Sequence, residues 1–357
     1  MIERENTRKH DMDHLRGLSI LLLFPVHSCM IWNDFGSRFY IWHGENKILS
    51  SFIVLINPWF MPLLFVLAGM SARFALEKRT VNEFIIQRVR KLLIPFLFGL
   101  VFLVPFQTLY ARKFFDGYTG SIWENWKYFF THVTDFSGYD GAFTPGHLWF
   151  ILFLFLISMV TLGLFHFLPY EKVAVHAEKI PAVVVLFLFV PIWLMYYLGN
   201  FGGFSIGKDL ALYLAGYYVL SNEQALEKLE RNMKWMAVLC GIGTIASVVM
   251  YYNFSYYGDC WVNFVGWITI LVLLGVGRKF LSRETGFIRY WNRASYPVYL
   301  LHQSILVALA YYTVRPGGNV YGQAAGVCAG SFLITVLVHQ VIWRGPVWLA
   351  EKIWRAV

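Results

Sequence analysis

Long apolar runs, separated by short polar segments, occupy most of this chain of 357 residues. An α-helix needs about 20 apolar residues to cross the hydrocarbon core of a bilayer, and several runs reach that length. The pattern predicts an all-α integral membrane protein, a polytopic bundle of about ten transmembrane helices. The predicted spans lie near residues 15–33, 52–76, 92–110, 147–168, 181–198, 207–220, 234–251, 261–277, 296–314 and 325–343. The span at 207–220 is the shortest and has the weakest support.

The composition indicates the same class of protein. Hydrophobic residues make up 58% of the chain and charged residues 14%, whereas soluble globular proteins carry about 25% charged residues. Aromatic residues, at 19%, are typical of the Trp and Tyr belts at membrane interfaces. The net charge of +9 follows from membrane topology and gives no support to nucleic-acid binding.

The distribution of basic residues predicts the orientation. With a cytoplasmic N-terminus, the inner segments carry 22 of the 30 Lys and Arg residues and the outer loops carry 7. The positive-inside rule therefore places both termini in the cytoplasm of a multi-pass protein of the plasma (inner) membrane. We expect residues 1–14, 77–91 and 344–357 inside and residues 111–146 outside. We expect a single membrane domain over residues 1–357 and no cleaved signal peptide, and the sequence leaves the oligomeric state open.

The four cysteines are scattered and form no CxxC pair, so the sequence predicts neither a metal site nor a bound cofactor. Cys29 and Cys260 both fall toward the outer ends of their predicted spans. They are either a disulfide or two apolar free thiols, and the second interpretation is favoured.

Arg16 and His27 lie in the first long apolar run. Eleven residues separate them, which on an α-helix returns both side chains to nearly one face, with a rise of about 16 Å. Ionisable side chains at such depth are tolerated where they face a protein interior or a wet cavity, and they usually mark a functional site. A neutral imidazole can take a proton from a hydroxyl group and return it to a leaving group. Pro25 tends to kink the helix beside His27.

Two charged groups accompany this pair. Asp13 lies three residues before Arg16, so it either orients Arg16 or forms an ordinary surface ion pair with it. Three basic residues precede the third span: Arg88, Arg90 and Lys91. Arg88 and Lys91 form an i,i+3 pair of cations suited to binding the phosphates of a phosphorylated donor substrate. The alternative is that these basic residues only set the membrane topology by the positive-inside rule, and we accept it for Lys78 and Arg79.

Three further segments carry polar or bend-forming residues. GHLWF opens the fourth span and SYPVYLLHQ opens the ninth, while NPWFMP predicts a bend in the second. From the first two segments we select candidate residues for the acceptor site or its pocket: His147, Trp149, Ser295, Tyr299 and His302. A helix-capping role is an equal alternative for His147, whereas the depth of His302 favours function.

The outer segment 111–146 is rich in aromatic and acidic residues. Aromatic faces stack on sugar rings and carboxylates bind sugar hydroxyls, so an acceptor glycan would fit there. An interfacial helix with Trp and Tyr at membrane level is the alternative, and it is slightly favoured.

These motifs resemble the membrane acyltransferase-3 family. The opening DHLRG with the spacing Arg16-x10-His27 resembles the family's first motif, and RVRKLLIPF resembles its R-x-x-R segment, with Lys91 in place of the second arginine. GHLWF and SYPVYLLHQ are similar to the branch containing a succinyltransferase of periplasmic glucans. The resemblance covers essentially the whole chain, and we expect no SGNH-type esterase domain.

The resemblance implies an O-acyltransferase that moves an acetyl or succinyl group from cytoplasmic acyl-CoA, its co-substrate, to a hydroxyl of an extracytoplasmic carbohydrate. It implies that His27 is the catalytic histidine, Arg16 its companion, and Arg88 with Lys91 the donor-binding pair. A transporter or flippase of a glycan or glycolipid is the alternative class, since it would also bury polar residues in a helical bundle. The sequence identifies neither the acyl group nor the acceptor. It also does not distinguish direct transfer from transfer through an acyl-enzyme.

Overall fold

The computed structural model describes residues 10–35, 39–177, 179–201, 204–255, 258–281, 283 and 285–344. Within these residues the chain is almost entirely helical, and one antiparallel pair of two-residue strands joins α11 to α12. The elements are α1 (His10–Met30), α2 (Lys47–Ile56), α3 (Phe60–Leu76), α4 (Val81–Arg88), α5 (Ile94–Phe102), α6 (Val104–Phe115), α7 (Ile122–Thr131), α8 (Trp149–Phe167), α9 (Tyr170–Ala177), α10 (Ala182–Phe187), α11 (Phe189–Met195), β1 (Asn200–Phe201), β2 (Phe204–Ser205), α12 (Ile206–Ala215), α13 (Glu223–Phe254), α14 (Asp259–Phe280), α15 (Gly286–Thr313) and α16 (Val320–Val338). Short π-helical turns follow α4, α12 and α16, and a 3₁₀ turn, Gly146–Leu148, precedes α8.

Six helical segments of the described chain are long and apolar enough to cross a membrane. They are Lys47–Leu76, Val81–Phe115, Gly146–Phe167, Glu223–Phe254, Asp259–Phe280 and Val320–Ile342. The prediction of an all-α membrane protein is therefore confirmed. The count of ten spans and the cytoplasmic position of both termini stay predictions. A shorter apolar segment, Ala182–Met195, covers much of the fifth predicted span.

The second predicted span is broken, as its prolines indicate. Helix α2 ends at Ile56 and α3 begins at Phe60, with Asn57 and Pro58 between them. Pro62 falls in the first turn of α3, where the backbone N–H groups have no intrahelical partner in any case. The predicted bend is confirmed.

The chain forms two compact units. Among the described residues, unit 1 comprises those within 10–19, 54–96 and 149–289, and unit 2 comprises those within 20–53, 97–148 and 290–344. The prediction of one domain over the whole chain stays a prediction.

Close packing of backbones holds the core of unit 1. Helix α3 packs against α12 and the π turn that follows it. A Cβ atom added to Gly69 would lie 2.0 Å from the carbonyl oxygen of Tyr213, and one added to Gly216 would lie 2.2 Å from that of Val66. Only glycine fits at such a distance, so these two glycines set the separation of the two elements.

Helix α13, also in unit 1, pairs with α14 and presents an apolar stripe on its outer side. The exposed residues recur every three or four positions, which places them on one face of the helix. They are Trp235, Val238, Ile242, Ile245, Val249 and Tyr252. An apolar face of this kind is the surface that a membrane helix shows to lipid.

Polar contacts to the backbone fix α7 against α6 and the C-terminal part of α5 in unit 2. Ser121 and Glu124 form a capping box that starts α7. The indole Nε1 of Trp126 donates to the carbonyl oxygen of Val101 at 2.9 Å, and the Asn125 amide donates to that of Pro105 at 3.1 Å. The segment 111–146, which the sequence predicts to lie outside, therefore contains a helix, as the interfacial interpretation requires.

Candidate functional site

Unit 2 brings together three histidines from three separate parts of the sequence. His27 lies on α1 two residues after Pro25, His147 lies in the 3₁₀ turn before α8, and His302 lies on α15. Nδ1 of His27 and Nε2 of His302 are 3.1 Å apart. The ring centroids of His147 and His302 are 5.1 Å apart. We call these three residues the histidine cluster.

Backbone carbonyls hold the two buried histidines of this cluster. Nδ1 of His302 lies 2.6 Å from the carbonyl oxygen of Tyr299, one turn earlier on α15. Nε2 of His147 lies 3.0 Å from the carbonyl oxygen of Leu300. The Tyr299 hydroxyl in turn donates to the carbonyl oxygen of His147 at 2.6 Å. The structure thus places Tyr299, a predicted site residue, in direct contact with the cluster.

A second row of polar side chains supports His147. Nε2 of Gln107 lies 3.0 Å from Nδ1 of His147 and 2.9 Å from the Ser304 hydroxyl. Gln303 donates to Oε1 of Gln107 at 3.2 Å, and Ser304 donates to the carbonyl oxygen of Leu103. Gln107, Gln303 and Ser304 are not among the residues predicted from the sequence. A glutamine inside the apolar run FLVPFQTLY was the available signal for the first of them.

Accessibility differs within the cluster. His302 is 0% exposed and His147 is 6% exposed, whereas His27 is only partly buried. In the described chain, Nε2 of His27 makes no hydrogen bond, since its one polar contact is through Nδ1. His27 is therefore the member of the cluster with a nitrogen left for another molecule.

Aromatic rings from two loops of unit 2 form a group beside His27. The ring of Phe39 stacks against the imidazole at 6.0 Å between centroids. Tyr40 lies beside Phe39, and Tyr139 lies edge-on to Tyr40 at 5.2 Å. Burial raises the pKa of Tyr139 to about 12 and also raises the pKa of Tyr40, so both phenols are neutral at physiological pH.

Two other predicted site residues lie apart from the hydrogen bonds of the cluster. Ser295 is on α15, and its hydroxyl donates to the carbonyl oxygen of Asn292 on the same helix. Trp149 begins the last segment of unit 1, where its ring stacks on Phe204 at 4.2 Å. Their assignment to the acceptor pocket stays a prediction.

Arg16 lies in unit 1, and its guanidinium is held from two helices. It donates to Oδ1 of Asp13 at 2.9 Å, to the carbonyl oxygen of Leu67 at 3.2 Å and to the Ser71 hydroxyl. The predicted contact between Asp13 and Arg16 is confirmed. Ser71 and the Leu67 carbonyl, both on α3, are partners that spacing along the sequence does not reveal.

The predicted donor pair is also in unit 1. Arg88 ends α4 with its guanidinium over the ring of Phe84, 4.5 Å from the centroid, and its Nε is buried without a hydrogen-bond partner. Tyr213 on α12 lies close to it. Lys91 and Arg90 are exposed on the π turn Val89–Leu93, where the wider winding turns Lys91 further from Arg88 than an α-helix would. Arg88 packs against Phe84 whereas Lys91 is exposed, and their role as a donor-binding pair stays a prediction.

The described residues contain no group of three or more His, Cys, Asp or Glu side chains placed to bind a metal ion. All four cysteines are free thiols.

A helical membrane fold with a buried histidine cluster fits a known class of enzyme. The profile of the acyltransferase-3 family, described as an acyltransferase domain, matches residues 9–340. This chain belongs to that family and is a membrane O-acyltransferase. The resemblance that the sequence motifs carry is thereby confirmed.

Named relatives align over nearly the whole chain. The glucans biosynthesis protein C of Salmonella gallinarum is 22% identical, with 93% of this chain and 92% of the relative covered. Proteins of the same name from Salmonella paratyphi B and Salmonella heidelberg are each 21% identical with the same coverage. No solved structure matches this chain.

Proposed function

We propose that this enzyme transfers an acyl group, acetyl or succinyl, from cytoplasmic acyl-CoA to a hydroxyl of an extracytoplasmic glucan at the inner membrane. The glucan acceptor is suggested by the name of the relatives. The observation that carries the proposal is the engagement of Nδ1 of His27 by His302, which leaves Nε2 of His27 as the base.

In the proposed step, Nε2 of His27 accepts the proton of the acceptor hydroxyl while the oxygen attacks the thioester carbonyl carbon. The C–O bond forms and the C–S bond breaks. The CoA sulfur leaves with the electron pair of that bond and takes the proton from the His27 imidazolium. The products are a glucan ester and free CoA, and the imidazole is neutral again.

The charge around Arg88 supports a donor site in unit 1. Arg88 forms no ion pair within the described chain, and the titratable groups near it are Tyr213 and Arg79 rather than a carboxylate. Arg16 and Arg73, by contrast, each have an acidic partner. A cation partly buried without an anion favours an anionic ligand, and the phosphates of acyl-CoA have that charge. Lys91 and Arg90 would add charge at the surface.

The aromatic residues near His27 support a carbohydrate acceptor. Phe39, Tyr40 and Tyr139 form a continuous group of rings that begins at the imidazole. Asp135 and Asp140 belong to the same outer segment as Tyr139 and would bind sugar hydroxyls. Phe39 and Tyr40 are buried, so Tyr139 and the two carboxylates would meet a sugar ring presented from outside.

The test of catalysis is His27→Ala, with His166→Ala as the matched control. His166 is exposed at the end of α8, with its ring against Phe167. Purified protein in nanodiscs is supplied with acetyl-CoA or succinyl-CoA and a glucan, and the esterified glucan is measured by mass spectrometry. Loss of a general base lowers the rate about 10²–10⁴-fold, while the control should match wild type. Near-normal turnover of a folded His27→Ala protein would remove His27 from the mechanism.

The donor site is tested by Arg88→Gln with Lys91→Gln. A well-formed charge-assisted contact to Arg88 contributes about 1.5–3 kcal/mol and an exposed contact to Lys91 about 0–1 kcal/mol, so the double variant should bind acyl-CoA about 10- to 1000-fold more weakly. The effect should appear mainly in KM. Arg79→Gln is the control, because Arg79 is exposed and bonded to Gln87. Unchanged acyl-CoA binding in the double variant would make this segment a topology signal only.

The acceptor and the acyl group are identified together in cells. Envelope glycans are compared by mass spectrometry with and without this protein. A mass increment on glucans that requires His27 would support the proposal. A change in glycan location without any new ester would favour the transporter alternative.

A further inference from the structure

Backbone carbonyls that accept from the histidine cluster determine which ring nitrogens donate hydrogen bonds and which accept them. A carbonyl oxygen only accepts hydrogen bonds, so the Nδ1 of His302 that contacts the Tyr299 carbonyl carries a hydrogen. In a neutral imidazole the other nitrogen is then an acceptor. Nε2 of His302 therefore accepts from Nδ1 of His27, and Nδ1 of His27 carries a hydrogen.

We infer that His302 is a positioning residue that holds His27 in the Nδ1–H tautomer, with the lone pair of Nε2 available to the acceptor hydroxyl. The inference rests on the proposed role of His27 as the base. The Nε2–H tautomer is the more common one for a free imidazole in water, so the protein selects the less common form. A base at Nε2 requires this selection, because a nitrogen that already carries a hydrogen cannot take another from the acceptor.

The ring geometry fits a directional bond. The planes of His27 and His302 are 10° apart and the centroids are separated by 5.2 Å, as for two rings joined edge to edge by an N–H···N bond in a common plane. Phe24 lies edge-on to the His302 ring at 5.7 Å and limits its rotation. His302 is 0% exposed, and its described contacts include no carboxylate to stabilise an imidazolium, so the neutral form applies.

A backbone carbonyl also fixes the tautomer of His147. Its Nε2 donates to the Leu300 carbonyl, so its Nδ1 accepts from Gln107. The Gln107 carboxamide is oriented in turn, because its oxygen accepts from Gln303. Both nitrogens of His147, like both nitrogens of His302, are therefore used within the protein. His302 supports His27 directly, His147 contacts the ring of His302, and neither has a nitrogen left for a sugar.

The matched substitutions are His302→Asn and His302→Gln. An asparagine amide reaches the position of Nδ1 and keeps the bond to the Tyr299 carbonyl, but it does not reach His27. A glutamine oxygen reaches the position of Nε2 and can accept from Nδ1 of His27. We expect His302→Asn to lower kcat about 10- to 100-fold with little change in KM, the size of effect seen when an orienting partner of a functional imidazole is lost. His302→Gln should stay within about threefold of wild type in kcat, because it restores the orienting contact.

The tautomer is read directly from the ring ¹⁵N chemical shifts of His27 in histidine-labelled protein, with His27→Gln used for assignment. Wild type should show hydrogen on Nδ1 of His27, and His302→Asn should show the Nε2–H form, at unchanged melting temperature. Hydrogen on Nε2 in wild type, or an unchanged tautomer and kcat in His302→Asn, would overturn the inference. A tautomer that switches in His302→Asn while His27→Ala remains active would support the positioning role and refute the proposed base.

Discussion

Gly69 sets the distance between α3 and α12, so Gly69→Ala should destabilise unit 1. The new Cβ would lie 2.0 Å from the Tyr213 carbonyl oxygen and 3.0 Å from the backbone nitrogen of Tyr217. Real Cβ contacts do not fall below 3.0 Å, so α3 and α12 must separate by about 1 Å along the closer contact. Both sides of the contact are backbone, and no rotamer change relieves it.

The expected magnitude follows from known costs of overpacking. Forcing extra volume into a packed core lowers the free energy of unfolding by about 1–3 kcal/mol. Gly163→Ala is the matched control, because Gly163 also lies inside a helix and its added Cβ would meet nothing within 4 Å. There alanine should be favoured by about 0.5–1 kcal/mol. The same gain applies to Gly69 inside α3, so the overpacking cost alone should separate the two variants, by about 1–3 kcal/mol.

The assay is thermal unfolding of the purified proteins in one detergent, followed by acyl transfer at a temperature where both are folded. Gly69→Ala should melt below wild type, and Gly163→Ala at or above it. Gly69→Ala should also lose activity, since Ser71 on the next half-turn of α3 holds Arg16. Equal melting temperatures for the two variants would refute the assignment of a close backbone contact.

Three further results are expected. Ser71→Ala should lower stability by about 1 kcal/mol through the bond lost by Arg16, while Ser71→Thr should not, as calorimetry of the pair would show. Trp126→Phe should cost about 1 kcal/mol, because the ring is kept but the bond to a carbonyl of α5 is lost, and faster amide exchange in α7 would report it. In a background without native cysteines, an impermeant thiol reagent on intact cells should label a cysteine at Thr119 and not one at Lys78. The reverse pattern would overturn the orientation and the donor side with it.

Contacts set by local geometry could be predicted from the sequence. The pairing of Asp13 with Arg16 follows from a spacing of three residues on a helix, and the break near Pro58 follows from proline chemistry. His27 and His302 could each be singled out by their depth in an apolar run. Their contact could not be predicted, because 275 residues separate them and no local rule pairs them.

The directions in which side chains point could not be predicted from the sequence either. The i,i+3 rule placed Arg88 and Lys91 on one face, but the π turn after α4 changes the winding between them. Gln107 has a polar side chain in an apolar run, but its role depends on Gln303 and Ser304 from a distant helix. Side-chain contacts within one regular helix can be predicted from the sequence. Contacts with residues on other helices require the tertiary structure.

The length of the apolar stripe on α13 indicates the bilayer thickness that this protein fits. Trp235 and Tyr252 stand at its two ends, in the positions that interfacial aromatic residues take. Seventeen residues separate them, which is about 26 Å along the helix axis. The hydrocarbon core of a typical bilayer is about 30 Å thick, so the apolar stripe of α13 is a few ångströms shorter than the core, and a short stripe is matched by local thinning of the bilayer or by flanking side chains that reach the interface. Each ångström of mismatch costs a fraction of a kcal/mol. The acyl-chain length of the host membrane, and with it the bilayer thickness, therefore affects the stability of this enzyme in the membrane.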